Sequence, residues 1–143
     1  MGIYNVSKHA VVSLTETLYQ DLRLVTEQVT ASVLCPFFVT TGITRSDRNR
    51  PADLPAAAPT KSQLIGQAMS DKAVGSGKVS AADVAQKVFD AVAQGQFYIY
   101  SHPQALGNVQ SRMEAIVQGT NPPDPFAARP DVGEGLRRAL RAS

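Results

Sequence analysis

The chain has 143 residues, of which 43% are hydrophobic, so its size and composition fit one globular domain with a modest core. Its 14 basic and 12 acidic residues are scattered and give a formal charge of +2, which argues against nucleic acid or a membrane surface as a partner. No stretch approaches the roughly 20 apolar residues that span a bilayer, and no secretion signal is found, so we expect a cytoplasmic protein.

The first predicted elements are a long helix and a strand. Apolar side chains recur at helical spacing over residues 4–25, namely at Val6, Ala10, Leu14, Leu18, Leu22 and Val25. The apolar run at 29–35 predicts a buried strand, which Pro36 ends. The single cysteine, Cys35, has no partner for an internal disulfide and is expected to act as a small buried hydrophobe.

The middle of the chain predicts a long loop over residues 40–78. Three prolines and several charged residues at 40–59 favour irregular structure, and loops of this length are often functional lids. Within it, the apolar residues between Lys61 and Asp71 favour a short helix.

The later elements follow an alternating pattern of helix and strand. Ser80 is a suitable N-cap, and Asp83 lies in the first turn, where the helix dipole favours a carboxylate. The predicted elements are a helix at 81–94, a strand at 97–100 and a helix at 104–117. Residues 121–143 are predicted to form a tail that is on the surface or partly disordered.

Two residues at the start of the long helix have chemistry of interest. Tyr4 and Lys8 are four residues apart, so their side chains leave the same helix face one turn apart. A free phenol has a pKa of about 10, and a nearby ammonium stabilises its phenolate form. Such a tyrosine can give a proton to a ketone oxygen or take one from an alcohol. Taken alone, the same pair also fits the start of an ordinary amphipathic helix.

The residues around this pair carry a family resemblance. The segment Tyr4-Asn5-Val6-Ser7-Lys8-His9-Ala10 resembles the Tyr-x-x-x-Lys signature of the short-chain dehydrogenases/reductases. The helix that follows and the strand ending at Pro36 come in the order and spacing of that family. Phe37 stands where the family usually has glycine. The resemblance covers roughly residues 3–100.

The resemblance implies a fold and a set of site residues. The fold would be α/β, the C-terminal part of a doubly wound, Rossmann-like parallel sheet. Tyr4 would be the proton donor or acceptor, and Lys8 would assist it and hydrogen-bond the ribose of NAD or NADP. Pro36, Val39 and Thr41 would line the nicotinamide, and the 40–78 loop would cover a small alcohol or carbonyl substrate. The family also implies a homo-oligomer.

Part of the family pattern is not found in this sequence. No glycine-rich phosphate turn occurs, and no position corresponds to the family's catalytic serine, which lies upstream of the tyrosine. We therefore expect residues 1–120 to form the C-terminal half of a Rossmann-like domain, without its N-terminal βαβ half. The alternative is a truncated family member without catalysis of its own, which acts as an interaction or oligomerisation fragment.

Other functions have weaker support in the sequence. A serine hydrolase of the Gly-x-Ser-x-Gly type is not indicated, because that motif is absent and the only histidines are His9 and His102. Cys35 and these histidines lack the spacing of a zinc site, so no metal is expected. The arginines near the C-terminus could bind an acidic partner, but such a charge group is usually a solvated face.

Overall fold

The computed structural model describes residues 2–55 and 57–141, in an α/β arrangement. In chain order the elements are α1 (Gly2–Val25), β1 (Val33–Cys35), a 3₁₀ helix (Gly42–Asn49), α2 (Lys61–Gly75), α3 (Ala81–Ala93), β2 (Tyr98–Tyr100), a second 3₁₀ helix (Pro103–Ala105), α4 (Gly107–Gln118) and α5 (Pro130–Arg141). The chain divides into two compact units, the first holding 2–55 with 66–101 and the second holding 57–65 with 102–141.

The sheet of the first unit consists of two parallel strands. β1 pairs with β2 in the register Val33 to Tyr98, Leu34 to Ile99 and Cys35 to Tyr100. Both strands are shorter than the predicted 29–35 and 97–100, because backbone pairing begins only where Val33 N donates to Phe97 O at 2.8 Å. Just before it, Ser32 Oγ donates to Gln96 O at 2.8 Å, so a side chain makes the link there.

The core of the first unit lies between α3 and the sheet. Its buried apolar side chains are Val33, Val84, Ala91 and Ile99. The strands provide Val33 and Ile99, and the other two residues lie on α3, four and eleven positions after its Ser80 cap. Gly95, with φ of 67°, closes the turn from α3 toward β2, a conformation that glycine adopts without steric cost. The core therefore depends on a short helix and on pairing of two distant strands.

Helix α3 begins as the sequence predicts. Ser80 caps it, and the Ser80 Oγ accepts from Asp83 N at 3.1 Å while Asp83 Oδ2 accepts from Ser80 N at 3.0 Å. These reciprocal bonds form a capping box, which satisfies backbone donors that the first turn leaves free. The helix spans Ala81–Ala93, one residue shorter than predicted.

Helix α1 contacts the sheet through polar and aromatic groups on one side. The Tyr19 and Phe97 rings lie 4.9 Å apart, and Tyr98 O–H donates to Glu16 Oε1 at 2.6 Å. No residue of α1 is buried. Its exposed large apolar side chains are Ile3, Tyr4, Val6, Val11, Leu14, Leu18, Leu24 and Val25. The apolar stripe predicted for this helix therefore faces solvent over much of its length.

The region predicted as a long loop contains regular structure. The 3₁₀ helix Gly42–Asn49 follows Thr41, and α2 continues to Gly75, beyond the predicted end at Asp71. Thr40 Oγ1 donates toward Val74 O and Gly77 O, at 3.3 and 3.2 Å. These bonds fix the start of the loop to the C-terminal end of α2. Tertiary bonds of this kind are not visible in local sequence.

The predicted tail, residues 121–143, contains a helix. α5 spans Pro130–Arg141, and residues 142 and 143 of the predicted tail lie outside the described residues. Proline suits the first helical position, and Gly133 is buried where its Cβ would lie 3.1 Å from the Phe126 Cβ. The structure groups residues 102–141 with 57–65 in the second unit.

Helix α4 of this unit lies close to its predicted range of 104–117. It spans Gly107–Gln118 and is preceded by the short 3₁₀ helix at Pro103–Ala105. Gly119 ends it in the left-handed conformation, with φ of 65°. The glycine thus explains why this helix stops where it does.

Candidate active site

The helix α1 brings Tyr4 and Lys8 together. Lys8 Nζ lies 5.3 Å from the centroid of the Tyr4 ring, one turn along the same face. This distance is within the range of a cation–π contact. Lys8 is exposed and the Tyr4 side chain is 46% exposed, so both are accessible from solvent. The pair predicted from the sequence is therefore present as a contact that a small molecule can reach.

The neighbours of this pair bond only to their own helix. Ser7 Oγ donates to Tyr4 O at 2.7 Å, and His9 Nδ1 donates to Asn5 O at 2.9 Å. Lys8 has no carboxylate partner among the residues that the structure describes. Its ammonium hydrogens are therefore available to an external acceptor.

The segment after β1 holds the other predicted site residues. Pro36 and Thr41 are exposed, and Val39 between them is half-buried. The Thr41 side chain caps the 3₁₀ helix by accepting from Ile43 N at 3.4 Å. The backbone N–H and C=O of Val39 make no hydrogen bond within the described part of the chain. This segment thus offers unpaired backbone groups at the carboxyl end of a parallel strand, where α/β proteins usually bind ligands.

Phe37 takes the place of a family glycine without strain. No residue other than glycine has a positive φ among the described residues, so Phe37 has an ordinary backbone. Its N–H donates to Ser101 Oγ at 2.8 Å, and Ser101 is 2% exposed. This bond joins the ends of β1 and β2 and positions the segment that leads to Thr41. Ser101 is not among the residues predicted from the sequence, and its place one residue after the second strand was the available signal.

Cys35 belongs to a separate group of titratable side chains on the sheet. Burial, together with the negative charge of Glu16, raises the pKa of its thiol, and the side chain is half-buried rather than fully buried as predicted. The bond from its own hydroxyl to Glu16 raises the pKa of Tyr98. Desolvation raises the pKa of Tyr100, and the electrostatic effect of the nearby Cys35 raises it further. All three shifts favour the protonated form, and for Cys35 this disfavours the thiolate that nucleophilic attack requires.

Within residues 2–55 and 57–141, no group of three or more His, Cys, Asp or Glu side chains could hold a metal ion. Within the same ranges, no helix combines the length and apolar character needed to cross a bilayer.

Two known proteins resemble this chain. One is a short-chain dehydrogenase/reductase from Burkholderia phymatum, whose crystal structure is in complex with NAD. Its sequence is 52% identical to this chain, and the match covers 89% of this chain with a TM-score of 0.85. The other is a "CLA biosynthesis dehydrogenase/reductase" from Lactiplantibacillus plantarum, 31% identical over 123 residues and 82% of this chain. No family model matches the sequence.

The two matches cover only part of the relatives. The chain spans 46% of the Burkholderia protein and 42% of the Lactiplantibacillus protein, less than half of each. Over that part, the predicted α/β class is confirmed: this chain combines a parallel strand pair with helices and superposes on the known structure.

Proposed function

We propose that this chain, whose predicted resemblance to the short-chain dehydrogenases/reductases is confirmed, supplies the proton-transfer site of an NAD- or NADP-dependent oxidoreductase. The observation that carries the proposal is the contact between Lys8 and Tyr4, with 5.3 Å from the ammonium to the ring centroid, at the start of α1. The reaction interconverts an alcohol and a carbonyl on a small molecule.

Tyr4 performs the proton step in this proposal. In reduction, its hydroxyl gives a proton to the carbonyl oxygen, and in oxidation its phenolate removes the proton from the alcohol. Lys8, with its ammonium 5.3 Å from the centroid of the Tyr4 ring, assists this step in the proposal. When bound, the nicotinamide supplies or accepts the hydride that balances this proton. The exposed position of Tyr4 leaves room for a substrate oxygen to approach.

The cofactor contacts of this chain would come from the pair Tyr4 and Lys8 and from the segment that follows β1. Lys8 has free ammonium hydrogens for the ribose hydroxyls, and Tyr4 lies beside them. The backbone of Val39 is unpaired and can bond the carboxamide, while Thr41 offers its hydroxyl hydrogen and Pro36 provides an apolar surface. The solved neighbour is in complex with NAD, which supports a nicotinamide cofactor; the choice between NAD and NADP stays open.

The uncovered α1 supports a second candidate function. Leu14 is 71% exposed and Val6 70% exposed, which suits a helix that packs against another protein chain. In this version the chain has no catalysis and acts as an interaction or oligomerisation fragment. A homo-oligomer is compatible with both candidates, and the cytoplasm is the proposed location.

The two candidates differ in their response to cofactor and to one substitution. We expect NADH or NADPH at millimolar concentration to raise the melting temperature, because ligands that bind only the folded state stabilise it. Tyr4→Phe removes the transferable proton and should lower carbonyl reduction by about 10²- to 10⁴-fold. Tyr19→Phe is the matched control, since it removes a phenol hydroxyl from the same helix. No shift with either cofactor, together with equal rates for the two variants, would favour the interaction fragment.

A further inference from the structure

An arginine is fixed beside the residue that follows Thr41. Arg48 Nη1 donates to Gly42 O at 3.2 Å, so the side chain turns back along its own 3₁₀ helix. A Cβ on Gly42 would lie 2.8 Å from that nitrogen, too close for any larger residue unless the guanidinium moves. Glycine at 42 therefore permits this placement of the charge.

The charge of Arg48 is not compensated by a carboxylate. No acidic side chain is paired with it in the part of the chain that the structure describes; the neighbouring Asp47 pairs with Arg50 at 3.9 Å instead. A guanidinium has five N–H donors, and the contact with Gly42 O uses only one of its nitrogens. Arg48 is exposed. The remaining donors can bind an anion in the forked geometry that suits carboxylate and phosphate.

The segment that carries Arg48 is anchored at two further points. Thr40 Oγ1 donates to Gly77 O at 3.2 Å, and Gln67 Nε2 donates to Thr44 O at 2.9 Å. The first bond ties the segment to the turn just after α2, and the second ties it to the middle of α2. An arginine on an anchored backbone loses less freedom when a ligand binds than one on a free loop.

Apolar side chains flank the same segment. Phe37 and Phe38 are 49% and 42% exposed and lie edge to face at 4.5 Å, and Ile43 is 53% exposed. Exposed apolar side chains on the segment that also carries an unpaired cation fit a ligand with an apolar body and a charged end.

We propose that Arg48, held against Gly42, binds an anionic group, carboxylate or phosphate, on the alcohol or carbonyl substrate. The proposal rests on the proposed function in one respect, the expectation that residues 40–78, which include Arg48, cover the substrate. It names a substrate class, anionic alcohols and ketones, and makes Arg48 a specificity-determining residue that takes no part in proton transfer.

The test compares ketones that differ only in charge. The 143-residue chain is titrated with levulinate and its methyl ester, and with dihydroxyacetone phosphate and dihydroxyacetone, while amide and guanidinium NMR signals are followed. We expect the anion of at least one pair to bind about fivefold more tightly than its neutral partner, the upper range for an exposed charge pair. The two pairs distinguish a carboxylate from a phosphate. Equal affinity within both pairs, or no binding, would overturn the proposal.

Three variants separate Arg48 from general electrostatics. Arg48→Ala and Gly42→Ala should both remove the preference for the anion, the second because its methyl group displaces the guanidinium while the charge of the chain is unchanged. Arg50→Ala is the matched control, since it removes the same charge from an arginine paired with Asp47, and the preference should remain. An equal loss in Arg48→Ala and Arg50→Ala would contradict a specific site.

Failure of the Arg48 proposal can be distinguished from failure of the proposed function. Binding of the charged ketones is measured without cofactor and does not depend on Tyr4. If Arg48→Ala weakens the cofactor-induced stabilisation and leaves the preference among ketones unchanged, the anion that it binds belongs to the cofactor, and the substrate proposal is wrong.

Discussion

At the scale of single residues, one buried hydroxyl determines how the chain leaves the sheet. Ser101 Oγ accepts from Phe37 N at 2.8 Å, and this bond joins residues 64 positions apart. A backbone N–H without a partner at this partly buried position would be costly, so the serine allows the chain to turn away from β1 at this point. A glycine at 37 is consequently unnecessary for the path that leads to Thr41.

A second residue-scale feature, the cap of α3, predicts a dependence of stability on pH. The hydroxyl and backbone N–H of Ser80 lower the pKa of Asp83 below its ordinary value of 3.8. A carboxyl whose pKa is lower in the folded state stabilises the protein above its unfolded pKa, and this stabilisation is lost as pH falls through the folded value. Between neutral and acidic pH, the free energy of unfolding of Asp83→Asn should therefore fall less than that of the unmodified chain.

The measurement is urea unfolding at a series of pH values. Ser80→Ala removes the main cause of the lowered pKa and should flatten the same part of the profile. Ser76→Ala is the control, because Ser76 bonds a backbone carbonyl at Ala73 and no carboxylate. A profile unchanged by Ser80→Ala would show that the cap does not couple to the carboxyl.

At the scale of elements, two helices were predicted well and the strands less well. The periodicity of α1 and the capping signals of α3 act over three or four residues, so the sequence reveals them directly. The strands β1 and β2 are shorter than the apolar runs that predicted them, because a strand exists only where a partner strand supplies hydrogen bonds. Apolar composition alone does not show where the pairing begins.

The junction between α2 and the segment after β1 yields a second prediction. A Cβ on Gly77 would lie 2.9 Å from Phe38 O, 3.2 Å from Thr40 N and 3.2 Å from Val74 O, all backbone atoms. Gly77→Ala should therefore force the two segments apart and cost about 1–3 kcal/mol of unfolding free energy, the usual cost of overpacking. The measurement is chemical denaturation, with amide exchange at Thr40 and Gly42 as the local readout.

The matched control for this substitution is two residues away. Gly75→Ala adds the same methyl group at the end of α2, where nothing lies within 4 Å. It should be neutral or slightly stabilising, because alanine favours helix. Equal effects of the two substitutions would contradict the close approach at Gly77.

At the scale of the whole molecule, the main feature is the apolar surface of α1. Ile3, Leu24 and Val25 are 89%, 84% and 80% exposed, and they lie at both ends of the helix. Exposed apolar area of this extent on one helix is uncommon in a protein that stays monomeric. We therefore expect the 143-residue chain to associate in solution through this helix.

Association through α1 can be tested with two charged substitutions. Leu14→Glu places a charge on an apolar side chain that is 71% exposed and should weaken self-association by at least about tenfold, from the loss of roughly 1.5 kcal/mol of apolar burial. Ser13→Glu adds the same charge at an exposed polar neighbour and should have little effect. Sedimentation equilibrium over a range of concentrations gives the constants. A chain that is monomeric at all concentrations would refute this expectation.

Features that act over one helical turn follow directly from the local sequence. The spacing of Tyr4 and Lys8, the cap formed by Ser80 and Asp83, and the motif that resembles the family are all local, so the helix geometry follows from the residues. The contact between Lys8 and the Tyr4 ring agrees with that spacing. The α/β class was predicted in the same way, from the alternation of elements, and the solved neighbour confirms it.

Which segments come into contact depends on the path of the folded chain. The bond from Phe37 to Ser101, the attachment of Thr40 to α2 and the return of Arg48 onto Gly42 depend on where the backbone travels after each element ends. The helix in the predicted tail likewise packs its Gly133 against Phe126. The spacing of these residues along the chain follows no repeating pattern, so periodicity and motifs do not predict their contacts.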